Sequence, residues 1–312
     1  MTVEKSWLPT FLGIGSLRCG TTWLDRMLRK HPQIQMPKMK ELNFFDKRLI
    51  REDLGWYQDQ FEPANGDPPK SIRGEICPGY CRLSRPAVEN IRRILSDLRI
   101  VFLLRNPIDR NWSQAVYELG RLADRTFDRV PIAKFMRHFD RRRTRYYNDY
   151  GRAIDVWSGV FGSEAVHVET FDRFRAEPKP YLADILRHVG ADPSFMPDEA
   201  SLSEKVFFLG KPSQGIEMPE ILRWYVARQW REPVVRLNER LGGALDAWIE
   251  EMNSLERPGP RWRLYREVHR TLMVLPERLM YGAFEAGREF LHLRRGEAII
   301  RTMGNGSEPV VA

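Results

Sequence analysis

The chain has 312 residues, of which 42% are hydrophobic, so it can bury a globular core and is neither disordered nor fibrous. Fifty Lys and Arg against 42 Asp and Glu give a formal charge of +8, which favours anionic partners, although a generally soluble basic surface explains it equally well. Three cysteines, Cys19, Cys77 and Cys81, do not make a disulfide framework or a paired zinc site and indicate a reducing compartment.

No targeting or membrane-spanning segment is evident in the sequence. The first residues lead into an apolar run without a basic region, a signal-length apolar stretch or a small-residue cleavage site. No stretch reaches the roughly 18 apolar residues that a membrane-spanning helix needs. We therefore expect a cytoplasmic protein that at most contacts a membrane surface.

The first predicted element is a strand–loop–helix unit, Phe11 to Leu24, with the sequence FLGIGSLRCGTTWL. Its apolar strand breaks at Gly13 and Gly15, and a helix starts near Thr21 and runs to about His31. Such a unit offers backbone N–H groups and the positive end of a helix dipole to an anion. The unit therefore predicts a phosphate or sulfate site.

Alternating strand-like and helix-like segments follow a charged turn over 38–46, KMKELNFFD. We expect a short helix over Asp53 to Gln60, a loop over Ala64 to Pro69 and a second strand over Ser71 to Glu75. A helix over Arg85 to Asp97 and a third strand over Ile100 to Leu104 are expected to follow. The third strand is continuously apolar, as in a parallel strand covered on both faces. Arg105 follows it, so we expect Arg105 at the same sheet edge as the opening loop.

The middle of the chain continues this alternation. We expect a helix over Pro107 to Gly120, an arginine-rich segment over Asp124 to Arg145 and a helix over Tyr150 to Phe161. A fourth strand over Ala165 to Glu169 and a helix over Pro180 to Val189 are expected to follow. The arginine-rich segment is interpreted as a solvated helix end in preference to a rim for an acidic substrate. A long loop, Ser201 to Gly215, comes next, and such loops inside domains are often functional.

The last part of the chain is mainly helical from Pro219 to about Arg301 and ends in a polar tail. Pro258 to Pro260 is the best internal boundary. We therefore expect a domain over 1–257 and a helical C-terminal extension over 258–312 that packs on it. The mixture of aromatic and basic residues in 261–295 also suits peripheral membrane contact through the basic C-terminal helices.

The opening loop has the glycine spacing of the ATP-binding P-loop but lacks its lysine. Gly15 and Gly20 fit the spacing, whereas Thr21 occupies the lysine position and the charge sits at Arg18. No clear Mg²⁺-binding acid follows the later strands. The pattern argues against a kinase or ATPase and favours a nucleotide whose phosphate is bound but not transferred.

Two motifs together resemble the sulfotransferases that use 3′-phosphoadenosine 5′-phosphosulfate (PAPS). The segment LRCGTTWL is similar to the 5′-phosphosulfate loop of that family, and the third strand with RNPIDRNWS is similar to its 3′-phosphate motif. The segment KELNFFD most resembles the branch with heparan sulfate O-sulfotransferases and their bacterial relatives. The resemblance runs from about Phe11 to Gly210 and fades afterwards.

The resemblance implies which residues bind the donor. The 5′-phosphosulfate would be held by Arg18, Cys19, Gly20, Thr21, Thr22 and Trp23, and the 3′-phosphate by Arg105 and Ser113. The alternative role for Thr22 is a helix N-cap, and that for Arg105 is an arginine–carboxylate bridge. Position and composition alone place the loop with Lys211 and Gly215 over the nucleotide.

The resemblance also implies the catalytic residues. Glu41 is the expected general base for the acceptor hydroxyl, and Arg18 stabilises the negative charge on the leaving phosphate oxygen. Lys40 and Glu75 are the expected acceptor-binding residues. The alternative for Glu41 is an exposed glutamate that forms a salt bridge between Lys40 and Asn43.

The sequence departs from the family pattern at two positions. Arg18 stands where the family usually has lysine; arginine keeps the charge but is effectively never deprotonated, so it suits electrostatic help and not proton delivery. Ile76 stands where the heparan sulfate enzymes have a lysine. This second departure removes a substrate-facing cation and weakens the case for a heavily sulfated glycan acceptor.

We therefore expect an α/β, P-loop-like three-layer fold with a central, mainly parallel sheet flanked by helices, plus a helical C-terminal region. PAPS is the expected co-substrate, 3′-phosphoadenosine 5′-phosphate (PAP) the product, and no metal is expected. The acceptor is a glycan, lipid or small-metabolite alcohol, with no nucleic-acid partner. Two alternatives stay open: a non-catalytic binder of anionic glycan or lipid through the bases of 137–145 and 261–295, and a nucleotide-dependent kinase.

Overall fold

The structure is a computed structural model that describes residues 7–63, 70–122, 130–202, 217–256, 259 and 275–304. Several sequence predictions lie outside these residues: the turn over 64–69, the boundary prolines Pro258 and Pro260, and the loop residues Lys211 and Gly215. Their assignments stay predictions.

Within the described ranges, five strands form one sheet in which every neighbouring pair is parallel. They are β1 Phe11–Gly15, β2 Ile34–Gln35, β3 Ile72–Ile76, β4 Arg99–Leu104 and β5 Val166–Thr170. The order is β2-β3-β1-β4-β5, so the chain first builds one side of β1 and then crosses to the other. The carboxyl end of β1 therefore lies at a switch in strand order, where open α/β sheets usually bind ligands.

Thirteen α-helices are found within the described residues. In chain order they are α1 Thr21–Lys30, α2 Leu54–Asp59, α3 Arg85–Ile94, α4 Pro107–Leu122, α5 Ile132–Asp140, α6 Arg142–Tyr146, α7 Tyr150–Phe161, α8 Phe171–Ala176, α9 Pro178–Val189, α10 Glu199–Leu202, α11 Glu220–Arg240, α12 Asp246–Ser254 and α13 Leu275–Gly304. Shorter helical segments are Phe44–Arg48, Pro78–Arg82 and Ser163–Ala165. None of the helices in the described ranges is long and apolar enough to cross a membrane.

Local signals explain where several of these helices begin and end. The carboxylate of Asp53 accepts a hydrogen bond from the N–H of Trp56 at 2.8 Å and caps α2. Gly190, with φ of 84°, ends α9 in the left-handed conformation that glycine adopts without strain. In α3, Val88, Ile91 and Ile94 recur at helical spacing and are buried.

The predicted parallel α/β architecture is confirmed. The predicted strands appear as β1, β3, β4 and β5 with ends shifted by a residue or two, and β2 was not predicted. A strand of two residues, Ile34 and Gln35, has no periodicity of its own, and it exists because it pairs with Ile72 and Arg73 of β3.

The chain divides into two compact units. The first, which we call the sheet unit, contains Met1–Leu104, Ala153–Lys205 and Ala286–Ala312; the second, the helical unit, contains Arg105–Arg152 and Val206–Glu285. This division differs from the expected boundary between residues 257 and 258, which stays a prediction.

In the sheet unit, β1 is buried along its whole length and β4 along all but its first residue, which is why both are apolar runs. The end of α13 packs on α3 within the same unit, since a Cβ on Gly296 would lie 2.9 Å from Nδ2 of Asn90.

Candidate functional site

The loop after β1 begins at the switch in strand order. The backbone N–H of Ser16 donates to the carbonyl of Leu103 at the end of β4, at 2.7 Å, and fixes the start of the loop. Gly15 has φ of 135°, and a Cβ there would lie 2.9 Å from the carbonyl oxygen of Pro78. Only glycine therefore allows the Pro78 turn to pack this closely on the end of β1.

The loop ends at a helix N-terminus. Gly20 is the N-cap of α1, with φ of 86°, and no side chain of the cap residue hydrogen-bonds to the first turn. The first intrahelical bond runs from Leu24 N to Gly20 O at 3.1 Å, so the N–H groups of Thr21, Thr22 and Trp23 have no intrahelical acceptor. These N–H groups and the helix dipole together suit an anion.

This geometry excludes one of the two interpretations of Thr22, the helix N-cap. Thr22 is the second residue of α1 and is half-buried, while Gly20 occupies the cap position. Thr22 is therefore not the N-cap, which removes the competing role considered from the sequence.

The other loop residues differ in which atoms they can offer. The Trp23 side chain is core: its Nε1 donates to the carbonyl of Leu202 at 3.2 Å, and its ring lies 4.5 Å from that of Phe174. The thiol of Cys19 is buried. Both residues can contribute only backbone groups to a ligand, whereas Arg18 is half-buried with φ of 69°.

Glu41 lies in a second tight turn of the sheet unit. Its φ is 59°, and that of Asn43 is 52°, so both are in the left-handed region. The side chain of Glu41 is 41% exposed and pairs with Lys40, with 2.7 Å between Lys40 Nζ and Glu41 Oε1. The ion pair considered as an alternative to catalysis thus exists, and it also engages Lys40, the expected acceptor-binding cation.

Asn43 is the hydrogen-bonding centre of this turn. Its Nδ2 donates to the carbonyl of Glu41 at 2.6 Å, and its Oδ1 accepts from Sγ of Cys77 at 3.4 Å. Its own carbonyl accepts the N–H groups of Lys47 and Arg48 at 3.0 and 2.9 Å. Asn43 therefore holds the backbone of Glu41, and Asn43 is itself held by Cys77, which follows β3.

The two turns are linked through the carboxyl end of β3. Cys77, which contacts Asn43, also donates its backbone N–H to the carbonyl of Gly13 at 2.8 Å. Pro78 packs on Gly15, as described above. The Glu41 turn and the start of the loop after β1 are thus both in contact with the same short segment, Cys77 and Pro78.

Glu75 does not lie where the sequence predicted an acceptor-binding residue. It is fully buried, and its Oε1 accepts from the hydroxyls of Tyr57 and Tyr80, each at 2.7 Å. Burial raises its pKa to about 7, the two tyrosine hydrogen bonds oppose that effect, and the nearby carboxylate of Asp46 adds to it. Glu75 faces the interior because the two tyrosine side chains meet it there.

Ile76, where the resemblance would place a lysine, is also buried. Its side chain covers Gly13, where a Cβ would lie 2.8 Å from Cγ1 of Ile76. An apolar contact inside the sheet unit therefore occupies the position at which the resemblance would place a cation.

The residues expected to hold the 3′-phosphate belong to the helical unit. Arg105 precedes α4 and pairs with Asp109, at 3.6 Å between NH2 and Oδ2, so the arginine–carboxylate bridge considered as its alternative role is present. The carbonyl of Arg105 accepts from the hydroxyl of Tyr150 at 2.7 Å. Ser113 is half-buried on α4.

Arg110, which lies in the 3′-phosphate motif, is turned inward. It is fully buried and hydrogen-bonds to Asn148, to Gln114 Oε1 at 2.8 Å and to Asn111 Oδ1 at 2.7 Å. The side-chain amides of Asn111, Gln114 and Asn148 thus bind this buried arginine, and the bond to Asn148 connects α4 to the residues before α7.

Tyr57, Tyr80 and Asn43 form the surroundings of Glu75 and Glu41, and the sequence did not identify any of them as site residues. Tyr80 closes the segment GEICPGY, which is the one local signal that could have drawn attention to it. Among the described residues there is no group of three or more His, Cys, Asp or Glu that could hold a metal ion.

Comparison with known proteins supports the predicted resemblance. Residues 9–75 match the model of a family described as "Sulfotransferase family". A "Membrane-associated sulfotransferase kil1" of Dictyostelium discoideum is 34% identical over 107 residues, 34% of this chain and 22% of that protein. A "Bifunctional heparan sulfate N-deacetylase/N-sulfotransferase 4" of Mus musculus is 24% identical over 276 residues, 78% of this chain and 31% of that protein.

A solved structure shares the fold. The crystal structure of a sulfotransferase from Alicyclobacillus acidocaldarius is 25% identical, has a TM-score of 0.62, and is matched over 77% of this chain and 98% of that chain. The chain spans less than a third of the length of the curated relatives above. The resemblance to sulfotransferases predicted from two motifs is confirmed.

Proposed function

We propose that this chain transfers a sulfuryl group from PAPS to an acceptor hydroxyl. One observation carries the proposal: the residues matched by the sulfotransferase family, 9–75, contain both the N-terminus of α1, with its unbonded N–H groups, and the Glu41 turn. An anion site and a carboxylate attached to one segment are the two parts that sulfuryl transfer needs.

The donor is held first by the loop. The N–H groups of Thr21, Thr22 and Trp23 bind the 5′-phosphosulfate at the helix N-terminus, and the threonine hydroxyls add hydrogen-bond donors. Arg18 supplies positive charge. The sequence resemblance alone assigns the 3′-phosphate to Arg105 and Ser113, in the helical unit.

The reaction forms one bond at sulfur and breaks another. The acceptor oxygen bonds to the sulfur of PAPS while the bond from that sulfur to the bridging phosphate oxygen breaks, and PAP leaves. Glu41 takes the proton of the acceptor hydroxyl, and Arg18 stabilises the negative charge that develops on the bridging oxygen. Arginine provides this charge without giving up a proton.

The acceptor proposed is a glycan, lipid or small-metabolite alcohol. The similar proteins include a heparan sulfate N-deacetylase/N-sulfotransferase, which favours trying glycans first. The buried Ile76 argues in the other direction, because it leaves no cation at that position for a heavily sulfated chain. Uncharged sugar and lipid hydroxyls therefore belong in the same screen.

Calorimetric titration with PAP tests the donor, and a screen of glycans, lipids and small alcohols with ³⁵S-labelled PAPS, read by mass and radioactivity, tests transfer. We expect PAP to bind and one acceptor class to gain label. Absence of PAP binding would contradict the enzymatic proposal. PAP binding without transfer to any acceptor class would favour a non-catalytic binder.

Glu41→Gln tests the base. We expect kcat for transfer to fall by about 100-fold or more while PAP affinity is retained, because a general base acts on the acceptor proton and not on the donor. Glu52→Gln, which changes another partly exposed glutamate paired with Arg48, is the matched control. Full activity of Glu41→Gln would remove Glu41 as the base and leave the donor assignment standing.

A further inference from the structure

A buried chain of hydrogen bonds connects β3 to the turn that carries Glu41. The N–H of Phe45 donates to the hydroxyl oxygen of Tyr80 at 3.3 Å, and that hydroxyl donates to Oε1 of Glu75 at 2.7 Å. Phe45, Tyr80 and Glu75 are each at most 3% exposed, so no solvent replaces these bonds. Phe45, four residues after Glu41, is thereby linked through Tyr80 to Glu75 of β3.

Tyr57 binds the same oxygen but does not reach the turn backbone. Its hydroxyl donates to Oε1 of Glu75 at 2.7 Å, as that of Tyr80 does. The ring of Tyr57 stacks on Phe44 at 4.3 Å and meets Phe45 edge-on at 5.3 Å. Two tyrosines thus make the same bond to one carboxylate, and one of them also accepts the Phe45 N–H.

The charge on the Glu75 carboxyl determines how strongly it accepts hydrogen bonds from Tyr57 and Tyr80. Both hydroxyls donate to Oε1, and a bond to a carboxylate is roughly twice as strong as one to a neutral acid. Protonation at Oε2 leaves both tyrosine bonds to Oε1 in place but weakens them. The arrangement is therefore tighter when Glu75 is ionised.

The titratable and charged groups around Glu75 come from three segments. Tyr57 is on α2; Tyr80, Cys77 and Arg82 are on the segment after β3; and Asp46 is on the segment after Glu41. Arg82 pairs with Asp46 at 3.7 Å, while burial raises the pKa of both tyrosines and of Cys77, so these three remain neutral donors.

We propose that Glu75, acting through Tyr80, is a positioning residue that holds the Glu41 turn in its catalytic conformation. The proposal rests on the proposed function, since it concerns the placement of the same base. Glu41 and Asn43 both have left-handed backbone, which is disfavoured unless neighbouring contacts hold it. The bond from Phe45 to Tyr80 is one such contact, because it fixes the residues that follow.

A comparison of Tyr80→Phe with Tyr57→Phe tests the proposal. Each variant keeps its ring and removes one hydroxyl from Glu75, but only Tyr80→Phe leaves the Phe45 N–H without its acceptor. We expect kcat with ³⁵S-labelled PAPS and the screened acceptor to fall about tenfold or more for Tyr80→Phe and to stay within about twofold for Tyr57→Phe, with the KM for PAPS unchanged in both. Equal losses of kcat in the two variants would overturn the proposal.

Hydrogen exchange tests the same contact without an acceptor. The amide of Phe45 should exchange about tenfold faster in Tyr80→Phe than in the wild type and should keep its rate in Tyr57→Phe. If the wild type transfers no sulfuryl group but this difference appears, the proposed function fails while the contact is real. If exchange is equal in the two variants, the positioning role of Tyr80 is wrong whatever the activity.

The pH profile separates positioning from a merely structural role. Glu75→Gln keeps an oxygen for both tyrosines but cannot ionise, so it resembles the protonated wild type. The ratio of wild-type kcat to Glu75→Gln kcat should rise from near one at about pH 6 to a plateau at about pH 8, and the ratio cancels titrations that both proteins share. A ratio that does not depend on pH would show that the ionisation of Glu75 has no part in catalysis.

Discussion

Three non-glycine residues adopt left-handed backbone among those that the structure describes: Arg18, Glu41 and Asn43. Such a conformation costs about 1 kcal/mol or more for a residue with a Cβ, and it persists only where the surroundings impose it. Two of the three are the residues that the sequence assigned to catalysis, and Asn43 hydrogen-bonds to one of them. The strain is therefore concentrated where function was predicted on independent grounds.

Substitutions at Arg18 separate its charge from its backbone. Arg18→Lys should keep transfer within about tenfold, while Arg18→Met should lose about 100-fold in kcat, because only the first retains positive charge for the leaving oxygen. Arg18→Gly should be equally impaired but more stable than Arg18→Met by about 1 kcal/mol in urea unfolding, since glycine adopts φ of 69° without strain. Equal activity of the Lys and Met variants would contradict the electrostatic role.

Arg105 is tested by comparing two nucleotides. Arg105→Ala should weaken the binding of PAP at least about tenfold more than that of adenosine 5′-phosphate, because the lost charge-assisted hydrogen bond is to the 3′-phosphate. Calorimetry of both ligands measures the ratio. Asp109→Asn, which alters the partner of Arg105 and leaves its guanidinium, is the control and should preserve the preference for PAP. An equal loss for both nucleotides would move Arg105 out of this role.

At the scale of elements, the functional part of α1 is its N-terminus, whose N–H groups we propose bind the donor. α1 begins at a glycine with left-handed backbone, directly after a buried strand, and its inward residues pack in the core of the sheet unit. The aromatic ring of Phe171, at the start of α8, lies 3.2 Å from where a Cβ of Gly20 would be. The helix N-terminus is thus held against a second element, which keeps its N–H groups in place.

Two glycines with nearly the same backbone allow a controlled test of this terminus. Gly20 at the start of α1 has φ of 86°, and Gly190 at the end of α9 has φ of 84° with nothing within 4 Å of its would-be Cβ. Gly20→Ala and Gly190→Ala should both lose about 1 kcal/mol of stability from backbone strain. Only Gly20→Ala should also weaken PAP binding, because its Cβ presses on Phe171 and displaces the anion-binding turn.

Calorimetry with PAP and urea unfolding of both variants provide the two measurements. Unchanged PAP affinity in Gly20→Ala, together with the expected loss of stability, would show that the start of α1 does not bind the donor.

At the scale of the whole molecule, buried ionisable groups make stability depend on pH in opposite directions. Burial raises the pKa of Glu75 to about 7, so the folded state retains a proton that the unfolded chain has lost, and stability falls as pH rises from about 4.5 to about 7. Burial lowers the pKa of His188 to about 4, with the charges of His167 and Arg99 adding to the effect, so stability rises between about 4 and 6.5. The two contributions partly cancel where their ranges overlap.

Glu75→Gln isolates one of these contributions. The free energy of unfolding of this variant minus that of the wild type should increase by roughly 3 kcal/mol between about pH 5 and pH 8, because only the wild type must bury a charge at the higher pH. Urea unfolding at several pH values measures the difference. A difference that stays constant with pH would mean that Glu75 titrates alike in the folded and unfolded chain.

Much of the fold followed from local signals. The apolar run of β4 and the amphipathic spacing of α3 lie within single segments, and the glycines that end β1 and begin α1 are visible in the sequence. The two-residue strand β2 could not be recognised, because its pairing with β3 is its only reason to be a strand. The division into a sheet unit and a helical unit also depends on contacts between distant segments.

The candidate site was predictable in part for the same reason. Arg18, Gly20 and Thr22 lie within five residues of one another, so their spacing already indicates an anion site, and Glu41 belongs to a short recognisable motif. By itself, the sequence determined the parallel α/β architecture and the resemblance to sulfotransferases, and it located the loop for which we predict anion binding. Only the tertiary structure decided that Glu75 is buried between Tyr57 and Tyr80 and joined to the Glu41 turn, because these side chains meet through the packing of α2 on the end of β3 and no local pattern encodes that meeting.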